Sequence, residues 1–434
     1  MTPPERSLPA LLSACRALRG VSQGYLLVTL LPDLHLLGQS SLLLGLFLSG
    51  ALLVDFFLTA VLGLLADRLP PGRILLAGDL LGVLSPIPYL IHPGPVFLAI
   101  ALLLSGAGQR SNGSPGPWAP PEQVLLSRHA VSPVRPFAPF GWTMGAGLLG
   151  MAAGALLAWG HPLPPTLGVR GGLAGLSFLS LGSLLLILTL PDGANDPPVP
   201  RRGQPGPEES HTPPGSGERR RLTLLVLSNI LGGLSLGLVD PVIATWFLLR
   251  FHGSLGGTAL YLALAFGAAG LVALVLGRMP WTRALPATVI LLQTVALAAA
   301  FLLPFAPSLI PAALLYGVRT AGTRAPGGIR QALALALLPP RRSGLAAGLH
   351  LSSLQAAQIA GPLLAGLLWQ EGQTDAPLLA AGLLSAGSLS LFWSLSRSVP
   401  LPGGVRPPGI SGTLPGPSHP DGRGPVSNGS VSGP

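Results

Sequence analysis

No lysine occurs in the 434 residues, so all 25 basic side chains are arginines. That absence excludes a Gly-x-x-x-x-Gly-Lys phosphate loop, and with it an ATP-driven pump encoded in this chain. Charge of either sign is scarce, at 9% of residues against about 25% in an ordinary globular domain, which argues against a water-soluble fold. The single cysteine, Cys15, allows no disulfide within the chain. Histidine and cysteine show no metal-ligand spacing, and no nucleophile can be matched with a base. Neither a metal, nor a cofactor, nor enzyme chemistry is expected.

Long apolar runs fill most of the chain. A membrane-crossing helix needs about 20 predominantly apolar residues. Runs read against proline, glycine and charge signals predict helices over 14–37, 41–65, 73–91, 95–110, 138–159 and 171–190. A second set is expected near 222–249, 256–277, 284–304, 308–325, 344–369 and 377–396. The expected fold is an all-α membrane protein with twelve spanning helices in two bundles. Residues 1–191 form the first bundle and 222–398 the second. Residues 192–221, rich in proline, glycine and charge, read as a cytoplasmic linker, and 399–434 as a disordered Pro/Gly/Ser tail.

The formal charge of +10 invites a nucleic-acid reading, since clustered basic residues neutralise phosphates. The arginines instead lie mostly singly or in pairs between apolar runs, which points to a lipid bilayer and not to nucleic acid. Arg16, Arg19, Arg68, Arg73, Arg128, Arg135, the linker arginines, Arg278, Arg283, Arg341, Arg342 and Arg397 fall on one side of an even helix count. Only Arg170 and Arg250 fall near the other. Cytoplasmic loops collect arginine, so both termini are expected in the cytoplasm of a protein of the cell membrane. Leu12, Ser13, Ala14 and Cys15 resemble a lipoprotein cleavage box, but the apolar stretch before Cys15 is short and holds Pro9. The start of the first membrane helix is the preferred reading there.

The halves look like copies. "RSNGSPGPWAPPEQVLLSRHAVSPVR", from Arg110, and "RTAGTRAPGGIRQALALALLPPRR", from Arg319, share an Arg-x-x-Gly start, a glutamine (Gln123, Gln331) and a closing arginine (Arg135, Arg342). Such internal symmetry is typical of transporters built from repeats, with substrate bound near midplane between the repeats.

Ionisable groups at membrane depth are costly and therefore point to function. Asp55, in the middle of helix two, is the candidate proton carrier. At a rise of about 1.5 Å per residue, Asp33 lies about 28 Å along helix one and Asp240 about 27 Å along helix seven, both in the outer part of the membrane. Asp33 and His35 are expected at a solvated helix end. Asp240, before Pro241, has an N-cap as its alternative role. Arg110 and Arg319 fall nearer midplane. Asp79 is expected to pair with Arg110 or with loop arginines, while Glu122, Gln123 and Gln331 hold loops to helices. Gly147, Met151, Gly154, Gly361 and Gly366 suit close helix packing, with Pro362 a kink.

One further stretch, "GLLADRLPPGR" between helices two and three, resembles the Gly-x-x-x-Asp-Arg-x-Gly-Arg loop of the major facilitator superfamily. Gly63, Asp67 and Arg68 match in place, and Gly72 and Arg73 match across the inserted Pro70 and Pro71. The corresponding "LGRMPWTRAL" keeps Gly277, Arg278 and Arg283. Helix four keeps Arg110 and Gly113, and helix five, "GWTMGAGLLGMAAG", is glycine-rich, as in the antiporter members. The resemblance covers residues 14–396 and implies two pseudo-symmetric six-helix bundles whose helices one, four, seven and ten line a central cavity. It makes Gly63, Asp67, Arg68 and Arg73 a conformational latch. Asp33, Arg110, Asn112, Asp240, Arg319 and Arg324 become substrate-cavity candidates. Arg110 and Arg319 either hold an anionic group or set the protonation of a carrier, or else bond backbone carbonyls at helix breaks. The implied function is secondary active transport by alternating access, as proton-coupled efflux of small organic or amphiphilic compounds by a monomer. The alternatives are uptake or exchange of a small organic anion, and a non-transporting membrane receptor or scaffold.

Overall fold

A computed structural model of the chain describes residues 3–36, 38, 40–66, 69–105, 118–128, 138–160, 164–190, 216–251, 255–280, 284–336 and 343–398. Among these the regular structure is entirely helical. The helices are α1 (Pro3–Leu36), α2 (Ser41–Leu65), α3 (Pro71–Leu84), α4 (Ile87–Ile91), α5 (Pro95–Ser105), α6 (Ala119–Arg128), α7 (Ala138–Gly160) and α8 (Pro165–Leu188) in the first half. The second half holds α9 (Ser216–Val239), α10 (Ile243–Phe251), α11 (Leu255–Arg278), α12 (Ala284–Leu302), α13 (Leu309–Arg324), α14 (Gly327–Ala336), α15 (Ser343–Gln358), α16 (Ala360–Gln370) and α17 (Ala376–Ser398). Most of the linker expected over 192–221, and the tail at 399–434, lie outside the described residues.

Among the described residues twelve spans are counted when α3 is joined with α4, α9 with α10, α13 with α14 and α15 with α16, and when α5 and α6, which flank residues outside the described set, are taken as one. Prolines account for the breaks. Proline has no N–H to donate and its ring crowds the carbonyl four residues earlier. Accordingly α3 stops before Pro86, α9 before Pro241, α13 before Pro326, and α15 ends at Gln358, four residues ahead of Pro362. Pro71 opens α3, where its missing N–H costs nothing.

Each span separates a lipid face from a protein face. On α2, Leu43, Leu46, Leu53, Phe57, Val61 and Leu64 form an exposed apolar stripe, while Gly45, Leu48, Leu52, Asp55, Thr59 and Leu62 are buried. An exposed stripe of that length suits hydrocarbon. Among the described residues, nine helical stretches are long and apolar enough to cross a membrane. The spans that fall short of this measure, the first, fourth and tenth, carry Arg16, Arg19, Asp33, Glu122, Arg319, Arg324 and Arg330. The chain is a multi-pass membrane protein, and its charge is concentrated on these three spans.

Small residues set the helix spacing. Lipid provides no hydrophobic drive for one helix to leave it for another, so association relies on close van der Waals contact. Within the first half, α1 and α7 meet so tightly that a Cβ on Gly20 or Gly24 would strike the backbone of Gly147 or Met151, and one on Gly154 the backbone of Val21. Within the second half, a Cβ on Gly361 would strike the backbone of Gly237. The expected packing role of these glycines is what the structure shows.

Two seams join the halves. Along one, α7 lies against α11, with Gly141 facing Gly277 and Gly145 facing Gly270 and Leu274. Along the other, α2 lies against α15 and α16, with Gly45 on Pro362 and Gly63 on Gly348. Overpacking a tight contact typically costs about 1–3 kcal/mol. Gly154→Ala is therefore expected to lower the melting temperature of the detergent-purified protein. Gly50→Ala, on the exposed face of α2 with nothing within 4 Å of the added carbon, is expected to be neutral or mildly stabilising.

Candidate functional site

The first half buries an ionic cluster in its own interior. Arg16 and Arg19 of α1 project one turn apart toward α3 and α6. The Arg16 Nε lies 3.3 Å from Glu122 Oε1, and Arg19 lies 3.5 Å from Asp79 Oδ1 and 3.6 Å from Glu122 Oε2. The Ser183 hydroxyl of α8 donates to Asp79 at 2.5 Å, and Arg16 donates to Thr143 of α7 at 3.4 Å. All four ionised side chains are at most 5% exposed. Two positive and two negative charges thus close on each other and tie together spans one, three, four, five and six.

This cluster corrects three expectations. Arg16 and Arg19, expected among the arginines facing the cytoplasm, have their side chains buried inside the bundle. Asp79 is paired by Arg19 of α1, and Glu122, fully buried, is an ion-pair partner and not a loop tether. Arginine three residues from arginine inside an apolar helix was the signal available in the sequence. The arginine bias placed both on the cytoplasmic side, within helix one.

The second half carries a smaller network. Arg319 Nη1 donates to Asp240 Oδ1 at 3.0 Å, and Arg324 Nη2 lies 3.0 Å from Asp240 Oδ2, so one carboxylate serves two guanidinium groups. Arg324 also stacks over Phe266, 5.1 Å from the ring centre. Neither the N-cap role for Asp240 nor its separation from deeper arginines holds. Rise along helix seven was counted without regard to how far the arginine side chains of helix ten reach, and these meet Asp240 at 3.0 Å. Arg319 accordingly bonds a carboxylate.

Beside this network lies a pocket walled by Gly232, Ser235 and Leu236 of α9, Gln293 of α12, Arg319 and Thr323 of α13, Arg330 of α14, and Ser385 and Ser388 of α17. Arg330 Nη2 donates to Ser228 at 2.8 Å, and its guanidinium sits 4.8 Å from the Phe392 ring centre. Arg330, Ser228 and the α17 serines were not among the sequence candidates. The "GIRQALALAL" run shows the arginine inside an apolar amphipathic stretch, but only the fold shows what it faces.

Asp55 is 2% exposed and crosses a seam: its Oδ2 accepts from Gln355 Nε2 of α15 at 2.6 Å. The expected central, buried location is therefore correct, and the partner comes from the other half. Asp33 is not at a solvated end. It is buried, with Oδ2 against Gly168 of α8, where an added Cβ would collide with it. Of the latch residues, Gly63 packs on Gly348 across the seam, and Arg73 is exposed at the start of α3. Asp67, Arg68, Arg110 and Asn112 lie outside the described residues.

No family model matches the sequence, and no curated protein does. Solved structures match over nearly their whole length. The human organic anion transporter MFSD10 (TETRAN) superposes with a TM-score of 0.69 over 90% of this chain and 100% of its own, at 16% identity. A bacterial homolog of the human lysosomal transporter Spinster, inward-facing and unoccupied, gives 0.63 over 92% of this chain and 98% of its own, at 14% identity. The nucleoside transporter NupG gives 0.58 over 90% and 98%, at 16% identity. The chain therefore has the major facilitator fold, with two pseudo-symmetric six-helix halves. Identities this low establish the fold and no narrower subfamily.

Removing one partner from a buried ion cluster strands the others, at a typical cost of about 3–5 kcal/mol. Glu122→Ala is expected to destabilise the detergent-purified protein by that order, read as a lowered melting temperature. Pairing Arg16→Gln with Glu122→Gln, which restores neutrality, is expected to recover part of the loss.

Proposed function

We propose that the protein is a secondary active transporter of the cell membrane, both termini cytoplasmic, that works by rocking its two halves about the α2/α15–α16 and α7/α11 seams. The shared fold supports alternating access, and the glycine contacts along both seams leave surfaces smooth enough to part and re-form. The cargo is a small organic or amphiphilic compound, exported in exchange for protons.

The observation that carries proton coupling is the Asp55–Gln355 hydrogen bond between the halves. An ionised carboxylate accepts a charge-assisted hydrogen bond, about twice as strong as a neutral one. Protonation of Asp55 weakens its hold on Gln355 and favours separation of α2 from α15, while deprotonation draws them together. One proton thereby biases the equilibrium between bundle arrangements. In this scheme Asp67 and Arg68 act in the latch of the α2–α3 loop, and Asp33 and Asp240 border the cargo path.

Reconstitution into liposomes with an internal pH dye tests this reading. Compounds of differing charge are added under an imposed pH gradient. Wild-type protein is expected to release protons in response to at least one cargo. Asp55→Asn is expected to lose gradient-driven accumulation while retaining exchange of labelled for unlabelled cargo, which requires no net proton movement. Unchanged gradient-driven transport in Asp55→Asn would remove Asp55 from the coupling step.

A further inference from the structure

The two halves fill equivalent space differently. In the first, the region between spans one, three, four, five and six holds Arg16, Arg19, Asp79, Glu122, Thr143 and Ser183, neutral as a set. Its counterpart between spans seven, nine, ten, eleven and twelve is the pocket beside Arg319. The repeat alignment places Arg330, just before Gln331, where the first half has Glu122, just before Gln123. The first half supplies a carboxylate at that point, and the second supplies a cation.

The pocket is built for negative charge. Two guanidinium groups line it, and none of its lining residues is a carboxylate. Arg319 is 2% exposed and already shares Asp240 with Arg324, and its Nη2 makes no hydrogen bond among the described residues. Arg330 has no carboxylate within ion-pair distance among the described residues, and it donates to Ser228. Arginine stays protonated at every accessible pH and presents a planar fork matched to a carboxylate. The opposite wall holds Ser235, Ser385 and Ser388, whose hydroxyls are bonded among themselves or to backbone, so the donors toward an anion are the guanidinium groups. That wall is rigid, because Ser228 and Ser388 each donate to the other's backbone carbonyl, at 3.0 and 2.8 Å, and Ser235 donates to Ala381 at 2.9 Å.

We infer that this pocket is a binding site for a small monocarboxylate, whose carboxylate takes the place that Asp79 and Glu122 occupy in the first half. The space open to the centre of a water-sized sphere is ≈ 60 Å³. That accommodates about four waters, or an acid of two to four carbons. The site is lined within one half, and Leu354 of α15, beside the Gln355 that meets Asp55, forms part of its wall; binding is nevertheless read without proton movement.

Thermal unfolding and isothermal titration of the purified full-length protein in sodium HEPES, with sodium acetate, sodium propionate or sodium chloride added, test the inference. Acetate or propionate is expected to raise the melting temperature saturably. Arg330→Gln should weaken that binding by about tenfold or more. Ser385→Leu, which fills the pocket without removing charge, should abolish it, and Gly50→Ala, on the exposed face of α2, should leave it intact. No saturable response in wild type, an unchanged response in Arg330→Gln, or saturation by chloride without any by the carboxylates would overturn the assignment. Because binding is read without transport, a failure of proton coupling at Asp55 leaves this result standing, and the converse also holds.

Discussion

A charge inside a bilayer cannot borrow water, so whatever compensates it must be carried in by the protein or bound there. That constraint orders much of this molecule. In the first half, the charges are balanced internally: Arg16 and Arg19 meet Asp79 and Glu122, and Ser183 and Thr143 take up part of the remaining polar capacity. The spans that supply these groups are thereby held in one arrangement, and the half behaves as a block. In the second half a single carboxylate, Asp240, serves Arg319 and Arg324, while Arg330 rests on a serine and an aromatic ring. Two copies of one architecture have thus settled their electrostatics in different ways, one closed on itself and the other open to an added anion.

The seams follow a different logic from the bundle interiors. Contacts between halves rely on glycine against backbone, which binds through shape and releases without stranding charge. A polar contact also crosses one seam, where Gln355 donates a buried hydrogen bond to Asp55. A carboxylate placed there has more influence than one within a bundle, because the surfaces it joins are those that must part.

Much of the architecture was legible in the sequence. Apolar runs gave the spans, prolines marked the breaks at Pro241, Pro326 and Pro362, and the matched stretches from Arg110 and Arg319 disclosed the duplication. The pairings were not legible, and the reason is geometric. Rise along a helix gives a depth for each Cα, but it does not say how far a guanidinium on another helix reaches, so the Asp240 pair with Arg319 and Arg324 was not foreseen. Arginine bias sorts arginines from one side to the other, but it does not distinguish one facing the cytoplasm from one turned inward, so the burial of Arg16 and Arg19 was missed. Asp55 was located correctly because a lone carboxylate in the middle of an apolar helix has few places to go. Its partner, 300 residues away, is set by the packing of the halves.

The breaks in spans seven and ten acquire a mechanical meaning when set beside the charges. Asp240 sits where α9 ends, and Arg324 is the last residue of α13, so their ion pair joins two discontinuities. Beyond them, the short segments α10 and α14 stay packed in their own half and also touch the other, α10 against α1 and α14 against α7. Spans seven and ten run in opposite directions, so these segments point to opposite faces of the membrane. Asp240 thus pins together the two breaks from which these segments start, so a single carboxylate fixes where each of the two spans changes direction.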